Sequence, residues 1–211
     1  MKTIGYGIVH GLVHLIYGVW TGITWIVYRP RIVYQDKAVK EMMRKQACIL
    51  IANHTSHNDG SFVPQALCRV KPYVLVTRKW YDKKSIHWLF CHLRYIPINL
   101  KDMDNEWMDR SEKILRKGHS ILIFPEGQLS KDGTLGQFFP GFLMLARHTD
   151  APVIPMVISG GYRKFRRQRL TIGTPIQADI HRKGRPSLIL AEAATQCRET
   201  ILTMRREITG E

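Results

Sequence analysis

From residue 48 onward, short apolar runs alternate with helix-patterned stretches, and that alternation most narrows the folds open to this chain. The runs cover residues 48–52, 73–77, 95–98, 121–124, 153–158 and 170–172; helical spacing of apolar positions covers 61–68, 85–92, 106–117, 142–148 and 186–206. Near-continuous apolar strands are a mark of strands buried on both faces, and their interleaving with helices predicts a mostly parallel central sheet flanked by helices, an α/β fold. At 211 residues and 45% hydrophobic content the chain can bury one substantial core. No internal repeat or long linker marks a second one. The expected division is residues 1–30 as a separate N-terminal segment and 31–211 as a single folded domain.

That N-terminal segment carries no Lys, Arg, Asp or Glu from Thr3 to Tyr28, while Tyr6, Tyr17, Trp20, Trp25 and Tyr28 are set among aliphatic residues. About 20 apolar residues suffice to cross a hydrocarbon core. The glycines and two histidines equally allow a broken helix or re-entrant hairpin lying in one leaflet, with aromatic rings at headgroup level. Membrane embedding is expected in either form, in preference to a buried helix of a soluble protein. Lys2 precedes the segment and Arg29, Arg31, Lys37 and Lys40 follow it, so the excess of positive charge places the following domain on the cytoplasmic side. No small-residue cleavage site follows, which argues against a cleaved signal peptide. His10 and His14 lie one helical turn apart, a spacing that can bind metal, but in this apolar setting they read as packed or interfacial.

The chemistry-bearing stretch is Asn53-His54-Thr55-Ser56-His57-Asn58-Asp59-Gly60, directly after the apolar run at 48–52. An imidazole with a carboxylate on one ring nitrogen has its tautomer fixed and the basicity of its other nitrogen raised, which suits it to deprotonating an alcohol. The plain alternative is a structural histidine at a strand–helix junction. Asn53, Ser56 and Asn58 are helix-capping residue types and a helical pattern follows, so the pair sits at the carboxyl end of a strand, where open α/β sheets hold ligands. No Gly-x-Ser-x-Gly elbow or other nucleophile motif accompanies it, so the substrate would bring its own hydroxyl. A second strand, Ser120-Ile121-Leu122-Ile123-Phe124, ends in Pro125-Glu126-Gly127.

Together with Tyr95-Ile96-Pro97-Ile98 and Val153-Ile154-Pro155-Met156, these segments give four blocks in order: Asn-His-x4-Asp, Ile-Pro-Ile, Phe-Pro-Glu-Gly and Val-Ile-Pro-Met. In this the chain resembles the glycerolipid acyltransferase superfamily, and within it the 1-acyl-glycerol-3-phosphate (lysophosphatidate) acyltransferases. The resemblance covers about half of the chain. It implies transfer of a fatty acyl group from a thioester, acyl-CoA or acyl carrier protein, to a lipid hydroxyl in phospholipid biosynthesis. On that reading His54 is the general base, Asp59 orients it, Glu126 and Gly127 help hold the acceptor, and Asn53 serves the same site by bracing its loop. No bound cofactor or metal is implied; the thioester is a co-substrate. A thioester is an activated donor, so base catalysis and oxyanion stabilisation suffice, with backbone amides near Gly127 or after Pro97 as candidate oxyanion donors.

The chain departs from that pattern where phosphate would be gripped. Members acting on phosphorylated acceptors usually carry arginine after the second block and in the third; here those places hold Leu100 and Leu129. Two readings stay open. Lys101, Lys131, Arg78 or Lys79 supplies the phosphate contact from a shifted position, which keeps a lysophosphatidate-class acceptor, or the acceptor is a lysolipid without a phosphate monoester.

A net charge of +15 points to polyanionic surroundings such as anionic headgroups, donor phosphates or an acidic carrier protein. The densest basic patch is Arg163, Lys164, Arg166, Arg167 and Arg169, with Tyr162 and Phe165 interleaved. It is read as a membrane-surface or donor-binding patch; a solvated loop and a single-stranded nucleic-acid groove are the alternatives, and no nucleic-acid partner is expected. Cys48, Cys68, Cys91 and Cys197 form no Cys-x-x-Cys pair and are expected as reduced buried thiols. Two rival functions are a metal-dependent hydrolase built on His54, His57 and Asp59, which lacks the usual ligand spacings, and a non-catalytic basic membrane or nucleic-acid-binding protein.

Overall fold

The strand after the alternation begins, Ile49-Leu50-Ile51-Ala52, shows why the chain folds as it does: all four residues are 0% exposed. Side chains alternate across a strand. Ile49 and Ile51 join one apolar cluster, while Leu50 and Ala52 join a second on the opposite face. A strand so covered can only be central, with helices on both sides.

The computed structural model describes residues 2–99, 106–130, 133–159, 162 and 167–210. Its elements run α1 (Lys2–Tyr28), β1 (Arg31–Tyr34), α2 (Lys37–Lys45), β2 (Ile49–Ala52), α3 (Asp59–Ala66), β3 (Tyr73–Thr77), α4 (Arg78–Tyr81), α5 (His87–His92), β4 (Tyr95–Ile98), α6 (Glu106–Arg116), β5 (Ile121–Ile123), α7 (Gly141–Thr149), β6 (Val153–Ser159), β7 (Arg169–Ile172) and α8 (Pro186–Thr209). The sheet has seven strands in the order β1-β7-β6-β2-β5-β3-β4. Every adjacent pair is parallel except β6 with β7. Side chains of α6, α7 and α8 pack on the face that holds Ile49, Ile51, Ile121 and Ile123. Side chains of α2 and α3 cover the face that holds Leu50, Leu122, Ile154 and Met156.

The α/β fold and all six expected strands are present, with ends shifted by no more than one residue. The sequence reading missed β1, α2 and the one-turn helix α4. β1 is a four-residue edge strand that gains its order from pairing with β7, far away in sequence. α2 does carry a local signal: Asp36 caps it, its carboxylate accepting the Ala38 amide at 2.8 Å, and Val39 and Met43 on one face are buried. The thiols also need correction. Cys48 and Cys197 are buried, and burial pushes them up to about 11 and about 12, but Cys68 and Cys91 are exposed.

α1 is one unbroken helix, not a broken or re-entrant one, and its 27 residues extend about 40 Å at 1.5 Å per residue. Residues 10–28 are long and apolar enough to cross a membrane by length and composition. Val13, Tyr17, Thr21, Thr24 and Tyr28 lie on the face turned toward the domain, where Thr24 Oγ1 donates to Gln65 Oε1 of α3 at 2.5 Å. The other face bears Leu12, Leu15, Ile16, Val19, Trp20, Ile23 and Ile26, between 45% and 70% exposed. A continuous apolar stripe of this kind marks a surface meant for membrane or partner. The His10 and His14 rings meet edge-on at 4.4 Å, with His92 of α5 nearby.

Gly173, just after β7, lies where α8 crosses the sheet. A methyl group there would stand 2.8 Å from Met204 Sδ and 2.9 Å from Pro155 Cγ. Met204 can swing aside but the proline ring cannot. Gly173→Ala is therefore expected to cost about 1–3 kcal/mol, read as a lowered thermal midpoint; an unchanged midpoint would show that α8 is not seated this closely.

Candidate active site

The carboxyl end of β2 leads into the turn that carries Asn53 to Asn58, and α3 begins at Asp59. His54 and Asp59 meet across this turn: His54 Nδ1 lies 3.0 Å from Asp59 Oδ2. The same oxygen accepts the amides of Thr55 and Ser56, each at 2.8 Å. Asp59 is 0% exposed, while the His54 side chain keeps 19% exposure. A carboxylate only accepts, so the shared hydrogen belongs to His54 Nδ1, and Nε2 is left as the ring's proton acceptor. The imidazole is held flat against Phe124, centroid to centroid 4.2 Å.

The main chain around His54 is pinned as firmly as its ring. Its amide donates to Glu126 Oε1 at 2.9 Å, and its carbonyl accepts the Ser130 amide at 2.9 Å. Glu126 is 4% exposed and its second oxygen accepts the Gly136 amide at 2.8 Å. Arg198 of α8 closes this arrangement from outside, with Nε on the Gly136 carbonyl and an Nη on the Leu135 carbonyl. The Asn-His-x4-Asp and Phe-Pro-Glu-Gly blocks are thus bonded to each other directly. Asn53, a capping residue type in the sequence, caps no helix here. Its side chain takes both backbone groups of Ile158 on β6, at 2.8 and 3.1 Å. Asn58 occupies the N-cap position of α3 without a side-chain bond.

His54 borders a cleft of about 670 Å³ that runs over the carboxyl ends of β3 and β4. Its walls are mostly apolar and include Trp80, Ile86, Phe90, Ile98 and Leu129, with Gly127 at its rim. Such a space admits an acyl chain readily. Gly127 has φ 65°, the left-handed region, and its amide turns back onto the Phe124 carbonyl at 3.1 Å. None of the described residues lining the cleft is lysine or arginine. Arg78 instead pairs with Glu106 at 3.5 Å, and Lys79 is not on the wall. Lys101, Lys131 and Leu100 lie outside the described residues. His57 of the hydrolase reading turns to the Trp80 ring, 4.8 Å away. Among the described residues no group of three or more His, Cys, Asp or Glu is placed to hold a metal ion.

Of the basic patch, Arg163, Lys164 and Arg166, with Phe165, lie outside the described residues. Arg167 lines one surface hollow with Arg29, Arg31, Trp25 and Ile26 at the end of α1, and Arg169 lies in β7 with Nε on Thr171 Oγ1. Tyr162, assigned to that patch from sequence, is turned inward onto Asp59, its hydroxyl donating to Oδ1 at 2.5 Å. Sequence reasoning missed this contact because the tyrosine stands among basic residues and looks like a surface ring. Arg198 was missed as well, since nothing local distinguishes it from other arginines of an amphipathic helix.

The model of the acyltransferase family matches residues 31–159, more than half of the chain. A 1-acyl-sn-glycerol-3-phosphate acyltransferase of Brassica napus, BAT2, is 28% identical over 116 residues, which is 54% of this chain and 33% of that protein. The 1-acyl-sn-glycerol-3-phosphate acyltransferase of Limnanthes douglasii is 30% identical over 128 residues, 58% of this chain and 44% of that protein. The chain thus spans less than half the length of these relatives. The crystal structure of the 1-acyl-sn-glycerophosphate acyltransferase PlsC from Thermotoga maritima shares the fold, with a TM-score of 0.58 at 20% identity over 92% of this chain and 78% of that one. The chain belongs to the glycerolipid acyltransferase superfamily, with the 1-acyl-sn-glycerol-3-phosphate acyltransferases among its relatives.

Proposed function

We propose that the protein transfers a fatty acyl group from an acyl thioester, acyl-CoA or acyl carrier protein, to the free hydroxyl of a lysolipid of the lysophosphatidate class. The observation that carries this is the His54–Asp59 pair at 3.0 Å on the rim of an apolar cleft. In the reaction the acceptor hydroxyl gives its proton to His54 Nε2, its oxygen bonds to the thioester carbon, and the tetrahedral intermediate expels the thiolate. The thiolate then takes the proton back from His54, so no group on the protein is consumed. Relatives named for 1-acyl-sn-glycerol-3-phosphate favour that acceptor. Leu129 and the absence of lysine and arginine from the described cleft wall favour the second reading, an acceptor without a phosphate monoester.

Residues 1–30 serve as the membrane anchor and 31–211 as the catalytic domain. The apolar stripe of α1 faces lipid, and Arg29, Arg31 and Arg167 beside Trp25 meet anionic headgroups on the cytoplasmic side. Glu126 acts through the main chain: with both oxygens on amides it holds His54 in place and leaves acceptor contact to other groups.

The full chain in vesicles, given mixed lysolipids and an acyl thioester, is expected to yield diacyl products by mass spectrometry. His54→Ala should lose about 10²-fold or more in rate while still sedimenting with the vesicles. Full activity in His54→Ala overturns the base, and preference for lysolipids lacking the monoester selects the second reading. For Glu126→Ala, two buried amides lose a charged acceptor, so stability should fall by about 2–4 kcal/mol and kcat should drop with little change in acceptor KM. A rise in KM alone would return Glu126 to the role of acceptor contact.

A further inference from the structure

The Asp59 carboxylate divides its bonds. Oδ2 takes His54 Nδ1 and the Thr55 and Ser56 amides, whereas Oδ1 takes the Tyr162 hydroxyl at 2.5 Å. Tyr162 lies beyond the last of the four blocks, so nothing in the family pattern assigns it to the site. We propose that Tyr162 is a positioning residue for acyl transfer, its hydroxyl fixing Asp59 from the side opposite His54 and moderating the carboxylate's pull on the imidazole. This rests on the reading of His54 as the base.

Three observations converge. The phenol ring is boxed edge-on by Tyr28, the last residue of α1, at 5.2 Å and by Phe62 of α3 at 5.8 Å, so its hydroxyl has little freedom to leave Asp59. The bond joins an O–H donor to a fully buried carboxylate, the kind of hydrogen bond that is both short and strong. Burial, and then the Asp59 charge, push the phenol well above its ordinary range, so the group remains a donor wherever the enzyme would work. Without that donor Oδ1 is a buried carboxylate oxygen with its balancing contact gone, and the charge on Asp59 is felt more fully by His54.

The sign of the effect follows. His54 acts as a base only when its ring is unprotonated, and a stronger negative neighbour makes it hold a proton to higher pH. The acid limb of activity therefore moves upward when the hydroxyl is removed. Other ionisable groups near His54 among the described residues are Glu126, bonded to its amide, His57 in the same turn and Tyr95 on the wall of the same cleft; Tyr28 faces Tyr162, and Arg205 of α8 lines a pocket with Tyr162, Thr55 and Ser56. All are unchanged by substitution at 162, which isolates the hydroxyl as the cause.

The test compares the full chain with Tyr162→Phe, which keeps the ring, and Tyr162→Leu, which does not. Two readouts are taken against pH: kcat and KM for acyl transfer, and the rate at which diethyl pyrocarbonate modifies His54, located by mass spectrometry. For Tyr162→Phe both midpoints are expected to move to higher pH, with kcat reduced about threefold to tenfold and acceptor KM little changed. Tyr162→Leu should show the same rise together with a lower thermal midpoint. Midpoints that superimpose on wild type in Tyr162→Phe, with or without a stability loss in Tyr162→Leu, reduce Tyr162 to packing and overturn the proposal. The modification readout does not require turnover, so a wild-type protein without acyl transfer would refute the proposed function while this arm still decides the role of Tyr162.

Discussion

A buried carboxylate must be met by donors, and Asp59 meets that demand on both of its oxygens. It is 0% exposed at the start of α3 and gathers a ring N–H, two backbone amides and a phenol. Satisfying one charge in this way fixes the turn from Thr55 to Asp59, the tautomer of His54 and the entry of α3. It also ties in Tyr162, which packs on the last turn of α1. The geometry of the His54–Asp59 pair and the docking of the N-terminal helix therefore share one electrostatic requirement.

Glu126 repeats the device one strand away. β2 and β5 are neighbours with Ile49 opposite Ile121, so the turns that follow them lie side by side. A buried acid in the second turn can reach the His54 amide of the first and the Gly136 amide beyond it. Asn53 extends the same logic to β6. The result is a hydrogen-bonded rim on three adjacent strands, bordering a cleft whose other walls are mostly apolar. Polar precision on the sheet with hydrocarbon room beside it is what the proposed acyl transfer would require.

The sequence shows some of this directly and hides the rest for physical reasons. Apolar runs such as Ile121 to Ile123 are legible because burial on both faces leaves no room for polar residues. β1 is not, because an edge strand with Arg31 and Tyr34 carries no such demand and owes its order to β7. His54 and Asp59 are legible as a pair because their bond is local. Asn53 bonds backbone groups 105 residues away and Glu126 reaches the His54 amide 72 residues away, and backbone groups leave no signature in a sequence. Tyr162 was misjudged for the opposite reason: its neighbours at 163–169 announce a surface, while its own side chain answers to a buried acid. The glycines of α1 suggested a break, yet Gly11, Gly18 and Gly22 lie inside one continuous helix, since a glycine costs only about 1 kcal/mol there.

If His54 is the base, Asp59 must hold its proton on Nδ1 and so leave Nε2 to act. Nitrogen NMR of the protein labelled at histidine, recorded where the ring is neutral, reads this directly. The expected result is a protonated Nδ1 and a bare Nε2 for His54, with that preference lost in Asp59→Asn. A proton resident on Nε2 in the unsubstituted protein would rule out His54 as the base, because the nitrogen left for the substrate would then have no lone pair with which to take its hydrogen.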